Sequence, residues 1–280
     1  MTEGTGKHTV TVITPARRWP ALRLNELWEY RDLLYLLAWR DIKVRYKQTA
    51  LGAAWAILQP VLATIVFSIF FGKLAKVPSD GFPYPVFAYV ALLPWQLFSF
   101  CLGESANSLV SNHNLLKKVY FPRLIIPLAT VLAALVDFGV AFVVLLILLF
   151  SYGIVPTAAS MAFLPVLVLF AIAAAMSVGL WLSALNVQFR DVRYTLPFLM
   201  QIWMFATPVV YSSTLVPQKW RALYGLNPMA GVVEGFRWAL LGSAKGLGPQ
   251  VWVSAGTVAL LLAGGLVYFR RKESTFADVV

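Results

Sequence analysis

Residues 125–150 read IIPLATVLAALVDFGVAFVVLLILLF, and Asp137 is the one charged residue in the run. A helix needs about 20 apolar residues to cross a bilayer. A surface helix of a water-soluble fold keeps a polar face, and this stretch has none. It therefore predicts a transmembrane helix. Five more stretches on either side meet the same test: 51–71, 84–103, 161–185, 194–211 and 251–269. The expected fold class is an all-α integral membrane protein with six transmembrane helices. Pro127 and Pro165 lie within the third and fourth spans and predict tilt or kinks there. The fifth span is short and bracketed by Pro197 and Pro208.

Composition agrees with this reading. The 280 residues are 60% hydrophobic and 12% charged, with a mean hydropathy of +0.74. Soluble domains carry about a quarter charged residues. A soluble fold this poor in charge exposes large apolar patches, which aggregate. The single cysteine, Cys101, excludes an internal disulfide and a thiolate metal cluster. The net charge of +11 reads as basic loops at a membrane surface, not as a nucleic-acid footprint. Residues 1–20 are polar and basic, without the apolar centre or small-residue cleavage site of a signal peptide.

Six spans place both termini on one side. Nine Lys and Arg precede the first span. Lys117, Lys118 and Arg123 follow the second, Arg190 and Arg193 follow the fourth, and Arg270, Arg271 and Lys272 follow the sixth. Fewer basic residues, among them Lys73, Lys219 and Arg237, fall on the other side. The positive-inside rule then makes both termini cytoplasmic.

The expected organisation is a flexible cytoplasmic tail at 1–21, an amphipathic interfacial helix at 22–46, the six-span domain at 47–272 and a cytoplasmic tail at 273–280. In the interfacial helix, Leu24, Leu27, Trp28, Leu34, Leu37, Ala38 and Ile42 recur at helical spacing among Arg31, Arg40, Lys43 and Arg45. That pattern suits a helix lying in the headgroup plane. Residues 111–123, SNHNLLKKVYFPR, predict a short helix capped by Asn112 or Asn114 and ended by Pro122. Residues 212–250 predict one or two short re-entrant helices between spans five and six, since Glu234 and Arg237 interrupt their apolar part.

The chain has no phosphate-cradling G-x-x-x-x-G-K-[ST] loop, and no Ser-x-x-Lys or Gly-x-Ser-x-Gly nucleophile motif. His8 and His113 lie far apart, with no zinc-ligand spacing. No catalytic or metal site is expected. Two carboxylates, Glu104 and Asp137, fall in or near spans. Each is a functional candidate because burying it is costly. The alternatives are a place at the interface for Glu104 and a bond to a neighbouring helix for Asp137. Aromatics supply 14% of the chain. Trp55, Gln59, Val66 and Phe70 fall roughly on one face of the first span, and Tyr194, Phe198, Gln201 and Phe205 on one face of the fifth. A Gln among aromatics suits a path along which sugar rings slide, and a lipid-facing belt is the plainer reading.

Four blocks carry a resemblance: RDIKVRYKQTALGAAWAILQP at 40–60, KKVYFPR at 117–123, LNVQFRDVRY at 185–194 and LNPMAGVVEGFRWALLG at 226–242. In order and spacing they resemble the permeases of polysaccharide and O-antigen exporters, within the type-2 exporter class of ATP-binding cassette transporters. The resemblance spans about residues 25–270. It implies a homodimer of this subunit in the bacterial inner membrane, with two copies of a separate ATPase subunit. ATP and Mg would bind that partner, and no cofactor would bind this chain. The implied cargo is a polysaccharide linked to undecaprenyl diphosphate, or a teichoic-acid-like polymer.

By the same resemblance, Asp41, Asn114, Leu115, Leu116, Lys117, Lys118, Tyr120, Phe121 and Arg123 contact the ATPase. The two aromatic faces just described line the channel. Trp220, Tyr224, Phe236 and Trp238 form an outer gate. Arg40, Arg45, Arg190 and Arg193 sit where a diphosphate headgroup arrives from the inner leaflet; arginine forks match phosphate oxygens, and ordinary lipid phosphates suit them equally.

Other classes fit less well. A drug or small-lipid exporter of the same class remains an alternative. A glycan-assembly transferase needs an acidic motif such as D-x-D in a loop, and none occurs. A secondary transporter usually shows paired broken helices with polar groups at the midplane, and Asp137 alone answers to that.

Overall fold

Twelve α-helices account for most of the residues described in the computed structural model, which are 24–47, 54–242 and 246–276. The N-terminal tail, the start of the expected first span and residues 277–280 lie outside them. In chain order the helices are α1 (Leu24–Glu29), α2 (Arg31–Lys47), α3 (Ala54–Phe67), α4 (Tyr84–Ser111), α5 (His113–Lys118) and α6 (Ile125–Ser151). They continue with α7 (Ala158–Met161), α8 (Leu164–Gln188), α9 (Val192–Ala206), α10 (Gln218–Tyr224), α11 (Pro228–Leu241) and α12 (Pro249–Lys272). No strand occurs among the described residues.

Five stretches are long and apolar enough to cross a membrane: Ala54–Leu74, Tyr84–Ser111, Ile125–Ser151, Ala158–Gln188 and Pro249–Lys272. They match five of the six expected spans. The fold is therefore an all-α integral membrane fold. The first of these runs on past α3 as a π-helix, Ser68–Leu74. Helix α4 extends well beyond the expected end at residue 103.

The prolines sort by position. Pro127 and Pro165 fall in the first turns of α6 and α8, where a missing N–H breaks no helical bond, so they start helices instead of kinking them. Pro60, Pro94 and Pro197 are the ones inside helices.

Helices α4 and α8 form the centre, with α6 against α4 and α12 against α8. Small residues permit the close approach that membrane helices rely on where apolar burial gives little drive. A Cβ on Gly179 of α8 would stand 3.1 Å from Ser105 of α4. At the next interface Trp181 lies over Gly264 and Gly265 of α12, donates its indole N–H to the Leu261 carbonyl at 3.0 Å and stacks on Tyr268. Asn186 ties α8 to α4 by donating to the Ala106 carbonyl at 2.9 Å.

The fifth expected span is the exception. Its helix, α9, has 15 residues, about 22 Å at 1.5 Å per residue. The hydrocarbon core is about 30 Å thick. After Ala206 the chain continues as a buried non-helical segment, Thr207 to Val210. Backbone carbonyls freed at such depth need donors from elsewhere in the protein. Tyr84 donates to the Val210 carbonyl at 2.7 Å, and Asn227 to the Ala206 carbonyl at 3.2 Å. Arg237 donates to the carbonyls of Val209 at 3.0 Å and Tyr211 at 3.2 Å.

That arginine sits on α11, a helix opened by the Asn227–Pro228 cap and closed by Gly242 in the left-handed region, φ 68°. Its guanidinium lies 3.7 Å from the centre of the Phe87 ring, with Glu234 at 3.7 Å. The segment between spans five and six is thus α10 and α11, and α11 packs against α4, α8 and α12.

Candidate functional site

The end of the bundle opposite α10 and α11 carries most of the expected functional residues. Here the stretch expected as one interfacial helix is two, α1 and α2, broken at Tyr30. Leu37 and Ala38 of α2 are buried, and α2 packs along α6. The outer side of α1 and α2 is aromatic and basic: Arg31 lies over Trp28 of α1, Lys43 over Trp39, and Tyr35 stacks on Trp39.

Toward its C-terminal end, α2 delivers two side chains to Asp137 of α6. The Arg45 guanidinium and the Tyr46 hydroxyl each donate to one carboxylate oxygen. Arg45 also lies over the Phe100 ring of α4, 3.9 Å from its centre. Burial and the bond to Asp137 push Tyr46 up to about 12, so it donates as a neutral phenol at physiological pH. Asp137 is therefore bonded from a neighbouring helix. Glu104, one turn beyond Phe100 on α4, is exposed.

This cluster forms part of the wall of a cavity of about 320 Å³ between α2, α3, α4 and α6. Trp55, Gln59 and Gln96 also line it. The structure thus joins Arg45, Trp55 and Gln59, which the sequence assigned to two different roles. It adds Tyr46 and Gln96, which the sequence reading missed. Gln96 is a lone amide in the second span, the same signal that singled out Gln59. Val66 and Phe70 do not line the cavity and are exposed farther along the first span. The other arginines are elsewhere. Arg40 bonds Asp41 and reaches Asn112 at 2.9 Å, tying α2 to the α4–α5 corner. Arg190 and Arg193 are exposed at the turn between α8 and α9.

Residues 112–123 divide into anchors and exposed groups. Leu116 and Phe121 are both 4% exposed, whereas Asn114, Lys117, Lys118 and Tyr120 face outward, Tyr120 at 87%. Leu115 is half-buried. Asn112 stands at the cap position of α5, but its side chain turns back to the Ser108 carbonyl instead of capping. Arg123 is held by the chain's own C-terminal end. Its backbone N–H donates to the Glu273 carboxylate at 2.8 Å, and its guanidinium to the Glu273 carbonyl. Arg270 pairs with the same carboxylate at 2.8 Å, and Phe276 is buried against Phe269. Glu273 and Phe276 therefore tie this end of the described residues to the helical bundle.

On α9 the expected face is exposed. Tyr194, Phe198, Gln201 and Phe205 are all exposed, while Leu196 is buried. The four aromatics expected as a gate do not share a surface. Trp220 is exposed, Tyr224 meets the Tyr211 hydroxyl at 2.8 Å, Trp238 packs on Phe163, and Phe236 is a core residue against Phe138.

The family described as ABC-2 type transporter matches residues 32–241. The chain belongs to that family. The ABC-2 match begins in α2 and ends with α11, so it contains the cavity and the α5 segment, whereas the docked C-terminal residues lie beyond it. This ABC-2 chain is 33% identical over 263 residues to the O-antigen export system permease protein RfbA of Myxococcus xanthus, which covers 92% of this chain and 98% of that protein. It is 27% identical over 249 residues to the protein of the same name from Klebsiella pneumoniae, covering 89% and 95%. The polysialic acid transport protein KpsM of Escherichia coli is 23% identical over 240 residues, covering 84% and 92%. Membership of the ABC-2 family and the apolar helices together make this a multi-pass membrane transport protein.

Proposed function

We propose that this chain is the membrane subunit of an ATP-driven exporter that moves a lipid-linked polysaccharide across the bacterial cytoplasmic membrane. It works as a homodimer with two copies of a separate ATPase subunit, and the α5 end faces the cytoplasm. Near-full-length similarity to permeases named for O-antigen export and polysialic acid transport supports the cargo class.

One observation carries the coupling role. The α5 segment is fixed from beneath by Leu116 and Phe121 while Lys117, Lys118 and Tyr120 stand outward. A segment built this way transmits a push, because its attachment is a packed core and its contact face is free. The exposed stripe on α9 and the exposed length of α3 support a path formed where two copies meet. Arg45 beside the cavity supports capture of an anionic headgroup at the cytoplasmic end.

The test is co-purification. The chain, in lipid nanodiscs, is expected to bind an ATPase subunit of its own gene neighbourhood and to change its rate of ATP hydrolysis. Failure to bind any such subunit, under conditions where related pairs assemble, would remove the energy source and overturn the reading.

A further inference from the structure

The cavity at Arg45 has the groups to hold an anion and, in the same place, a competitor for it. The guanidinium is a fork suited to phosphate oxygens. It lies over the Phe100 ring, 3.9 Å from its centre, an arrangement that favours cations when water is scarce. Gln59 and Gln96 add amide donors to the same wall. Yet the guanidinium already donates to Asp137, and Tyr46 braces that carboxylate from a second direction.

We propose that Asp137 is an exchangeable counter-ion. It occupies Arg45 until the diphosphate of a lipid-linked substrate displaces it, and it reclaims Arg45 when the headgroup leaves. This rests on the headgroup reading of Arg45 given above.

Three observations support it. First, charge beside membrane-spanning helices is costly to bury, and the Asp137 carboxylate across the helix interface offsets the charge of Arg45 between substrates. Second, the volume of about 320 Å³ sits near the lower end of the ~300–1,000 Å³ typical of ligand pockets. That volume suits a headgroup with its first sugar, and the site must let go of that headgroup for the chain to advance. Third, a competing internal carboxylate lowers apparent affinity by the fraction of time Arg45 is free to bind, which favours release.

The test measures binding of farnesyl diphosphate to the full chain in phosphatidylcholine nanodiscs. Asp137→Asn is expected to tighten binding about tenfold, since the competitor is gone. Asp137→Glu, which keeps the carboxylate, is expected to stay near the wild-type value. Tyr46→Phe loosens the brace without touching either charge and is expected to tighten binding about threefold, which covers the case in which Asp137→Asn fails to fold. Arg45→Gln is expected to weaken binding about tenfold or more. If Arg45→Gln matters while Asp137→Asn or Tyr46→Phe leaves affinity unchanged or weaker, the exchange is wrong and the headgroup site stands. If Arg45→Gln changes nothing, the headgroup reading itself falls.

Two control arms identify the source of the anion. Inorganic diphosphate binding as tightly as farnesyl diphosphate would show a site for a soluble anion and overturn the lipid-linked assignment. Loss of farnesyl diphosphate binding in phosphatidylglycerol nanodiscs would show a site for bulk phospholipid and do the same. The proposal expects neither.

Discussion

Arg237→Ala is expected to destabilise the folded chain by about 3–5 kcal/mol, the range seen when one partner of a buried charged network is removed. The reason lies in the short helix α9. Once the chain leaves helical geometry at Ala206, its carbonyls have no helical donors, and Arg237 alone serves two of them, on Val209 and Tyr211. The substitution leaves those two carbonyls without their donors and Glu234 without its positive neighbour. Each unsatisfied backbone group in a water-poor interior costs several kcal/mol at most, and local rearrangement recovers part of that. Arg237→Lys is expected to recover only part of the loss, because a point charge cannot fork to two carbonyls. Unfolding of the chain in detergent, by heat or denaturant, measures both. Wild-type stability for Arg237→Ala would show that the irregular segment is held by something else.

The second large effect separates anchoring from contact in the α5 segment. Phe121→Ala removes a buried ring and is expected to cost about 3 kcal/mol of stability. Tyr120→Ala removes a ring that is 87% exposed and is expected to leave stability within about 0.5 kcal/mol. Its effect falls on the partner. An exposed aromatic at the centre of a contact face is the residue type that dominates binding, and its loss at about 2 kcal/mol weakens ATPase association about 30-fold. Equal association of the Tyr120→Ala and wild-type chains would remove Tyr120 from the contact. A stability loss as large as that of Phe121→Ala would show that the ring packs within the subunit instead.

The spans were legible because hydropathy is a local signal: five of the six stretches appear as long apolar helices. What hydropathy does not carry is where a helix stops inside the membrane. Thr207, Pro208, Val209 and Val210 continue the apolar run on paper, and only donors from α4, α10–α11 linker and α11 make a non-helical path tolerable there. Arg237 reads as an interruption in a loop, since the carbonyls it serves lie 26 and 28 residues away.

The candidate site shows the same limit. Arg45, Trp55 and Gln59 stood out by residue type and position, and Asp137 by its cost. Their meeting depends on how α2 packs along α6, with Arg45 and Asp137 separated by 92 residues. The bond between Glu273 and Arg123 is not legible in the sequence, because nothing in the neighbours of Glu273 points 150 residues back. That Phe236 packs in the core against Phe138 was not legible either, because an aromatic in a short re-entrant helix looks the same in sequence whether it faces a path or the core.

The most direct measurement reconstitutes the chain and its ATPase subunit in sealed vesicles and follows a diphosphate-linked glycan from the ATPase side to the other. Movement is expected only when ATP, this chain and the ATPase subunit are present together, and Arg45→Gln is expected to reduce it. A complex that hydrolyses ATP while the glycan stays on its original side would contradict it.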